Sequence, residues 1–167
     1  MSLLLSVAPL SATATSGLPQ AKGKSQVEKF IQNVAKIKSK EIDYAYISTS
    51  MFRQMFTMAG ADVDISGVGK IFGSIRYLRR FVTTGDTGYA LLSDALRPFL
   101  QEDEKVMGLE LMALNRNDGE TSVIYGDKSC VLVVNDSDRD ELSVVFIAGL
   151  TYEAFMQMSE EGVFIGF

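Results

Sequence analysis

Two short segments in the second half of the chain most constrain its fold, because every residue in them is apolar. They are Cys130–Val134 and Val144–Ile147, and both are rich in β-branched residues, which favour strands. A strand with one buried face alternates apolar and polar residues, whereas a continuous apolar run indicates a strand buried on both faces. We therefore expect both segments to be central strands of a sheet that is covered on both sides.

The sequence around these strands predicts a meander followed by a helix. We expect strands at Val106–Leu114 and Thr121–Tyr125, with a turn signal at Asn117–Gly119 between them. A polar turn over Asn135–Asp140 then joins the two apolar strands, and Thr151 caps a final helix. Consecutive strands with tight turns indicate antiparallel pairing.

The first half of the chain reads as helices separated by two strands. Ser25 and Glu28 form the signature of a capping box, and apolar residues at helical spacing follow them. Further along, the same kinds of pattern predict a strand at Ile42–Ile47, a helix at Ser48–Met58, a short helix through Ile71 and Phe72, a strand at Ile75–Thr83 and a helix capped by Asp86. Pro98 is expected to kink or end that last helix.

These elements predict one α+β domain over residues 25–167. We expect a mainly antiparallel sheet, with a four-strand meander in its C-terminal part, packed with about four helices. The length of 167 residues suits one domain, and contents of 47% apolar and 22% charged residues are those of a globular chain.

The first residues have the features of a secretory signal peptide. An apolar stretch at Leu3–Leu10 precedes Ala12–Ala14, which is an A-x-A cleavage site. We expect residues 1–14 to be removed after Ala14, residues 15–24 to form a flexible leader, and the protein to be exported to the periplasm or cell envelope. The basic region that normally opens a signal peptide is missing, which a start codon assigned too late would explain. The alternative, an apolar strand, is disfavoured by Pro9.

Charge and residue counts exclude several classes of function. With 16 basic and 21 acidic residues, the formal charge is −5, which disfavours nucleic-acid binding. No apolar run reaches the roughly 18 residues that a transmembrane helix needs. The chain has no His and a single Cys, Cys130, which we expect to be buried and inert. We therefore predict no metal, no cofactor and no enzymatic activity.

A Met- and Phe-rich segment is the most unusual local feature. Met51, Met55 and Met58 are spaced to share one helix face, and thioethers of this kind bind Cu(I) in exported proteins. The favoured interpretation is that these methionines pack in the core together with Phe52 and Phe56. A third interpretation is an adaptable hydrophobic surface for a partner.

Arg76, Arg79 and Arg80 form the only dense cationic cluster in the sequence. Such a cluster is suited to an anion or an acidic partner. The alternative, which we favour, is a solvated edge strand that its charges protect from aggregation.

Five segments together resemble a known family. They are Ile42–Phe52, Ser74–Leu78, Leu109–Ala113, Cys130–Val134 and Ala148–Tyr152. The pattern resembles domain of unknown function 4252, a family of small exported envelope proteins of Gram-negative bacteria of the Bacteroidetes group, and it covers about residues 27 to 158. The resemblance implies export and an α+β domain. It implies no activity, and it transfers no functional residues.

The sequence therefore predicts a non-enzymatic binding or protein-interaction module of the cell envelope. Its partner is expected to be an unknown envelope protein or a small apolar ligand. The candidate interaction surface consists of Met51, Phe52, Met55, Phe56, Met58, Arg76, Arg79 and Arg80. Two alternatives stay open, namely a carrier of small apolar ligands and a carboxylate-based hydrolase.

Overall fold

The computed structural model describes residues 24–58, 68–137 and 140–160. The helices in these ranges are α1 (Gln26–Val34), α2 (Thr49–Met58), α3 (Val68–Ser74), α4 (Asp86–Ala95), α5 (Arg97–Leu100) and α6 (Tyr152–Glu160). The strands are β1 (Ile42–Ser48), β2 (Tyr77–Thr83), β3 (Lys105–Val106), β4 (Leu109–Asn117), β5 (Glu120–Gly126), β6 (Cys130–Ser137) and β7 (Glu141–Ala148). The predicted signal peptide, the leader up to residue 23 and the C-terminal residues 161–167 lie outside the described ranges.

The strands form one antiparallel sheet of seven strands in the order β1-β2-β7-β6-β5-β4-β3. Strands β3 to β7 are neighbours in chain order, whereas β2 crosses over to pair with β7. This crossover brings the first half of the chain to the sheet, and it leaves β1 at one edge. The α+β class and the antiparallel sheet that the sequence predicts are confirmed.

The start of the meander differs from the prediction of one strand at Val106–Leu114. The chain turns at Met107 and Gly108, where φ is 50° and 82°, so β3 and β4 form a hairpin instead of one strand. The turn between β4 and β5 is the predicted one. Asp118 and Gly119 both have positive φ, as the two-residue turns that suit twisted strands require.

The helices also differ in number from the expectation of about four, since the described residues contain six. Part of the difference comes from Pro98, which lies in the first turn of a separate four-residue helix, α5, after α4 has ended at Ala95. The capping box of α1 is confirmed. The Ser25 Oγ accepts from the Glu28 N–H at 3.3 Å, and the Ser25 N–H donates to the Glu28 carboxylate at 3.0 Å.

Helices cover both faces of the sheet. On the first face, α1, α4 and α5 pack against the sheet through side chains such as Ile31, Leu92 and Phe99. On the second face, α2, α3 and α6 contribute side chains such as Phe52 and Met158. This arrangement explains why the central strands carry apolar residues without alternation.

Strand β6 shows the double burial directly. Val131 belongs to the core of the second face and Leu132 to the core of the first face, and both are fully buried. Cys130 is buried as well, and burial raises the pKa of its thiol to about 12, helped by the nearby charge of Asp127. The predicted central position of this strand is confirmed. Within the described ranges, no helix is long and apolar enough to cross a membrane.

Gly149, the residue directly after β7, lies close to the backbone of Ser74. Its φ is 89°, and a Cβ at this position would lie 2.1 Å from the carbonyl oxygen of Ser74. Gly108 also has a positive φ of 82°, but a Cβ there would meet nothing within 4 Å. We therefore expect Gly108→Ala to lower the free energy of unfolding by about 1 kcal/mol and Gly149→Ala by about 3 kcal/mol or more.

Urea unfolding of the two variants, followed by circular dichroism, measures this difference. Equal losses of stability in both variants would contradict the close approach of the Gly149 and Ser74 backbones.

Candidate functional site

The two described side chains of the Met- and Phe-rich segment, Met51 and Phe52, do not share one surface. The Met51 side chain is 48% exposed, whereas Phe52 is buried in the core of the second face. Met55, Phe56 and Met58 belong to helix α2, but their side chains lie outside the described part of the structure. Phe52 therefore has a core role, and Met51 is the one exposed member among those described.

The arginine cluster is divided between different parts of the sheet. Arg76 precedes β2, while Arg79 and Arg80 are consecutive in β2 and point to opposite faces. The prediction of an edge strand was wrong here, because β2 lies between β1 and β7. The pairing of β2 with β7 joins residues distant in sequence, so local charge could not reveal it.

Arg79 lies within a group of tyrosines on the first face of the sheet. Tyr44 and Tyr46, on the edge strand β1, are 43% and 47% exposed. One Nη atom of Arg79 donates to the Tyr44 hydroxyl at 2.5 Å. The Arg79 guanidinium carbon is 5.1 Å from the centre of the Tyr46 ring and 5.4 Å from that of Tyr77. These distances are those of cation–π contacts, which hold the guanidinium in place between the rings.

We call this group, with Arg76 included, the Tyr–Arg surface; it consists of Tyr44, Tyr46, Tyr77, Arg76 and Arg79. A buried carboxylate anchors one end of it. Glu28 accepts from the Tyr77 hydroxyl at 2.8 Å and forms an ion pair with an Nη of Arg76 at 3.0 Å. Because Glu28 also completes the capping box of α1, the orientation of that helix is tied to the Tyr–Arg surface.

The hydrogen bonds of Glu28 also set its protonation. Burial alone would raise the pKa of this carboxyl, but the bonds from the Ser25 N–H and the Tyr77 hydroxyl, with the charge of Arg76, lower it below its usual value. The pKa of Tyr77 is raised, first by burial and then by its bond to the Glu28 carboxylate. Glu28 is therefore ionised and Tyr77 neutral at neutral pH.

The Tyr–Arg surface is suited to binding. Tyrosine and arginine are enriched at the energetically dominant positions of protein interfaces, since each combines a large contact area with hydrogen-bonding groups. The five residues of the surface carry neither a thiol nor a carboxylate, and the Glu28 carboxylate beside them is engaged by Tyr77 and Arg76. Their chemistry is stacking, hydrogen bonding and attraction of negative charge.

Arg80 lies on the second face, in a polar groove of about 420 Å³. Ser122, Asn135 and Ser143 line the groove, and the Ser122 hydroxyl donates to the Asn135 side chain at 2.7 Å. Among the described residues, the Nε of Arg80 is buried without a hydrogen-bond partner. The groove is open and polar, so it does not resemble a site for an apolar ligand.

Three carboxylate residues, Glu120, Asp136 and Glu141, also line this groove, and the Asp136 carboxylate accepts from the Tyr89 hydroxyl. Glu120 and Glu141 each lie opposite Ser137 of the intervening strand β6, so their Cα atoms are about 10 Å apart by the spacing of strands. This is where a carboxylate-based hydrolase would have its acid and base. In the described ranges, no group of three or more His, Cys, Asp or Glu residues is arranged to hold a metal ion.

The sequence does not single out the tyrosines of the site as a binding surface. Tyr44 and Tyr46 lie within the predicted strand at Ile42–Ile47, and residues two apart on a strand share one face. That spacing was the available signal. Their contact with Arg79 depends on the register in which Tyr46 pairs with Arg79, and the sequence of neither strand specifies this register.

Comparisons with family models, with curated proteins and with solved structures found no match. The resemblance to domain of unknown function 4252 therefore stays a prediction.

The anchoring role of Glu28 leads to a prediction about acid stability. The folded pKa of Glu28 is lowered from 4.5, so its contribution to stability is present above that pH and is lost as the pH falls below it. We expect Glu28→Gln to lower the free energy of unfolding by about 1–3 kcal/mol at neutral pH. The deficit should shrink at about pH 3, because below pH 4.5 the unfolded state takes up a proton at Glu28 that the folded state resists, which lowers the stability of the wild type.

Chemical unfolding at the two pH values tests this prediction, with Glu110→Gln as the control. Glu110 forms an exposed ion pair with Lys105 at 3.2 Å, which contributes about 0–1 kcal/mol. A Glu28→Gln deficit that is no larger than that of the control, or that does not change with pH, would contradict the anchoring role.

Proposed function

We propose that this protein is a non-enzymatic protein-interaction module and that the Tyr–Arg surface, together with the edge strand β1, is its contact site. The observation that carries the proposal is the position of Tyr44 and Tyr46, which are two exposed aromatic rings on a strand edge that no described strand pairs with. Exposed rings of this size lose water-accessible area when a partner covers them, and this favours association.

The geometry around Arg79 supports the same proposal. Its guanidinium is already held by the Tyr44 hydroxyl and by the rings of Tyr46 and Tyr77. A side chain that is fixed before binding loses little conformational entropy when the complex forms. The Tyr–Arg surface therefore combines three of the features that concentrate binding energy: aromatic area, a cation and preorganisation.

Two alternatives from the sequence have less support. A carrier of apolar ligands would use the Met- and Phe-rich helix, but Phe52 is already packed in the core of the second face. A carboxylate-based hydrolase would use Glu120 and Glu141 in the polar groove. Neither of these carboxylates is buried, and burial is a usual means of producing the raised pKa of a catalytic acid.

We further propose that the module works in the periplasm or cell envelope, as the A-x-A site at Ala12–Ala14 indicates. Cell fractionation followed by intact-mass measurement should find the protein in the envelope or periplasmic fraction, with Thr15 as its first residue. Recovery from the cytosol with residues 1–14 retained would contradict this part of the proposal and would leave the binding surface unaffected.

Site-specific photo-crosslinking in cells tests the contact site. A photoreactive benzoylphenylalanine at position 46 should give a discrete crosslinked product, because Tyr46 lies at the proposed interface. The same probe at position 91 is the matched control, since Leu91 on α4 is 43% exposed against 47% for Tyr46. Combining the probe at position 46 with Arg79→Ala should remove most of the product.

Equal products from positions 46 and 91, or a product that is insensitive to Arg79→Ala, would contradict the proposed site.

A further inference from the structure

We propose that the partner of the edge strand is a second copy of this chain, bound through antiparallel pairing of β1 with β1 about a two-fold axis at Ala45. This inference rests on the proposed function, since it identifies the occupant of the same surface. It arises from three features of β1, namely its unprotected edge, its internal symmetry and the charges beside it.

The first feature is the lack of protection at this edge. Strand β1 has seven residues, most of them exposed, and no described strand pairs with its outer side. It contains no Lys and no Pro, and its one charged residue is Asp43. At the opposite edge, β3 pairs with only two residues of β4, and the remainder of β4 is irregular between Leu111 and Ala113 and carries the charged Arg116. Strand β1 is therefore the longer regular edge that is open to addition of another strand in the described part of the sheet.

The second feature is the order Tyr44-Ala45-Tyr46, which is symmetric about Ala45. An antiparallel pair centred there places Tyr44 opposite Tyr46 of the second copy, and Ala45 opposite Ala45 of the second copy. Asp43 then lies opposite Ile47 of the second copy, so no like charges face each other. Pairs of aromatic residues directly opposite one another stabilise a sheet, whereas like charges would destabilise it.

This register would also join aromatic contacts that exist within each copy. The Tyr44 ring lies 5.0 Å from the ring of Phe81, and the Tyr46 ring lies 5.6 Å from that of Tyr77. Because Tyr44 would meet Tyr46 of the second copy, these contacts would become one continuous aromatic band on the first face of a fourteen-stranded sheet, which is twice the seven strands of one copy.

The third feature is the charge on the second face. In the pairing of β1 with β2, Arg80 of β2 lies opposite Ala45 of β1. The small side chain of Ala45 leaves space on the second face at the edge of the sheet. In the dimer, Asp43 of the second copy would be two strands away from Arg80 across the sheet and offset from it by two residues along the strand. By standard strand dimensions, the Cα atoms of Arg80 and of this Asp43 would be about 12 Å apart. An arginine and an aspartate side chain together span this distance. Arg80 forms no ion pair with a described residue, and the contact with Asp43 of the second copy would turn its guanidinium from the polar groove towards β1.

The expected dimer is weak. A single pair of seven-residue strands, with the tyrosines beside it, forms a smaller interface than the standard protein–protein complex. We therefore expect a micromolar dissociation constant and a monomer–dimer equilibrium that depends on protein concentration.

Charge substitutions at Ala45 test the pairing and its register in one experiment. In Ala45→Glu, two glutamates would face each other across the axis, and we expect the dissociation constant to rise about tenfold. Ala45→Lys should also raise the dissociation constant, because two lysines would face each other and each would lie opposite Arg80 of its own copy. Ala45→Gln is the control of matched size, and its dissociation constant is the reference for both charged variants, since it has their bulk beside Arg80 without their charge. Sedimentation equilibrium of the purified protein measures each constant.

Mixing the Ala45→Glu and Ala45→Lys variants should restore dimerisation, because opposite charges would then meet at the axis. Thermal unfolding of each variant checks that it is folded, which matters most for Ala45→Lys, where the lysine lies opposite Arg80. Failure of the mixture to dimerise, or a dimer that Ala45→Glu leaves intact, would overturn the proposed register.

A wild-type protein that stays monomeric at millimolar concentration would overturn self-pairing altogether. The proposed function would still stand in that case, provided that the probe at position 46 captures a different protein in cells. If the crosslinked product at position 46 has twice the mass of the chain, both proposals are supported.

Discussion

The pairing of β2 with β7 is the contact on which the rest of the structure depends. It joins Leu78 to Ile147 and Phe81 to Val144, and so it contributes to the cores on both faces of the sheet. The hydrogen bond from the Arg76 N–H to the Ala148 carbonyl at 2.8 Å extends this contact to the residue before β2 begins. Since β2 also carries β1 on its other side, the same pairing that completes the cores leaves β1 at the edge.

The sequence predicts local features of this fold well and long-range ones poorly. The capping box at Ser25 and the turn at Asp118 and Gly119 were confirmed, because each depends on residues within a few positions of one another. The double burial of β6 and β7 was also predictable, since it leaves a continuous apolar run. The break at Gly108 was missed because a positive φ at a glycine does not interrupt an apolar pattern.

The candidate site shows the same division. Strand periodicity alone separates Arg79 from Arg80, because consecutive residues of a strand point to opposite faces. It cannot show that the rings of Tyr46 and Tyr77 enclose Arg79, since this requires the register of β1 against β2. Nor can it show that Glu28 of α1 reaches Tyr77, because that bond connects two elements 49 residues apart.

The Glu28 contacts explain how an exposed surface can stay ordered at the edge of a sheet. An edge strand has only one neighbouring strand to position it, so its side chains need support from elsewhere. Here the buried Glu28 carboxylate holds Tyr77, Tyr77 lies against Arg79, and Arg79 holds Tyr44 and Tyr46. Helix α1 therefore stabilises the Tyr–Arg surface without covering it. A surface that served only to close the core would gain more by burying these rings, whereas one that binds a partner must keep them exposed and fixed.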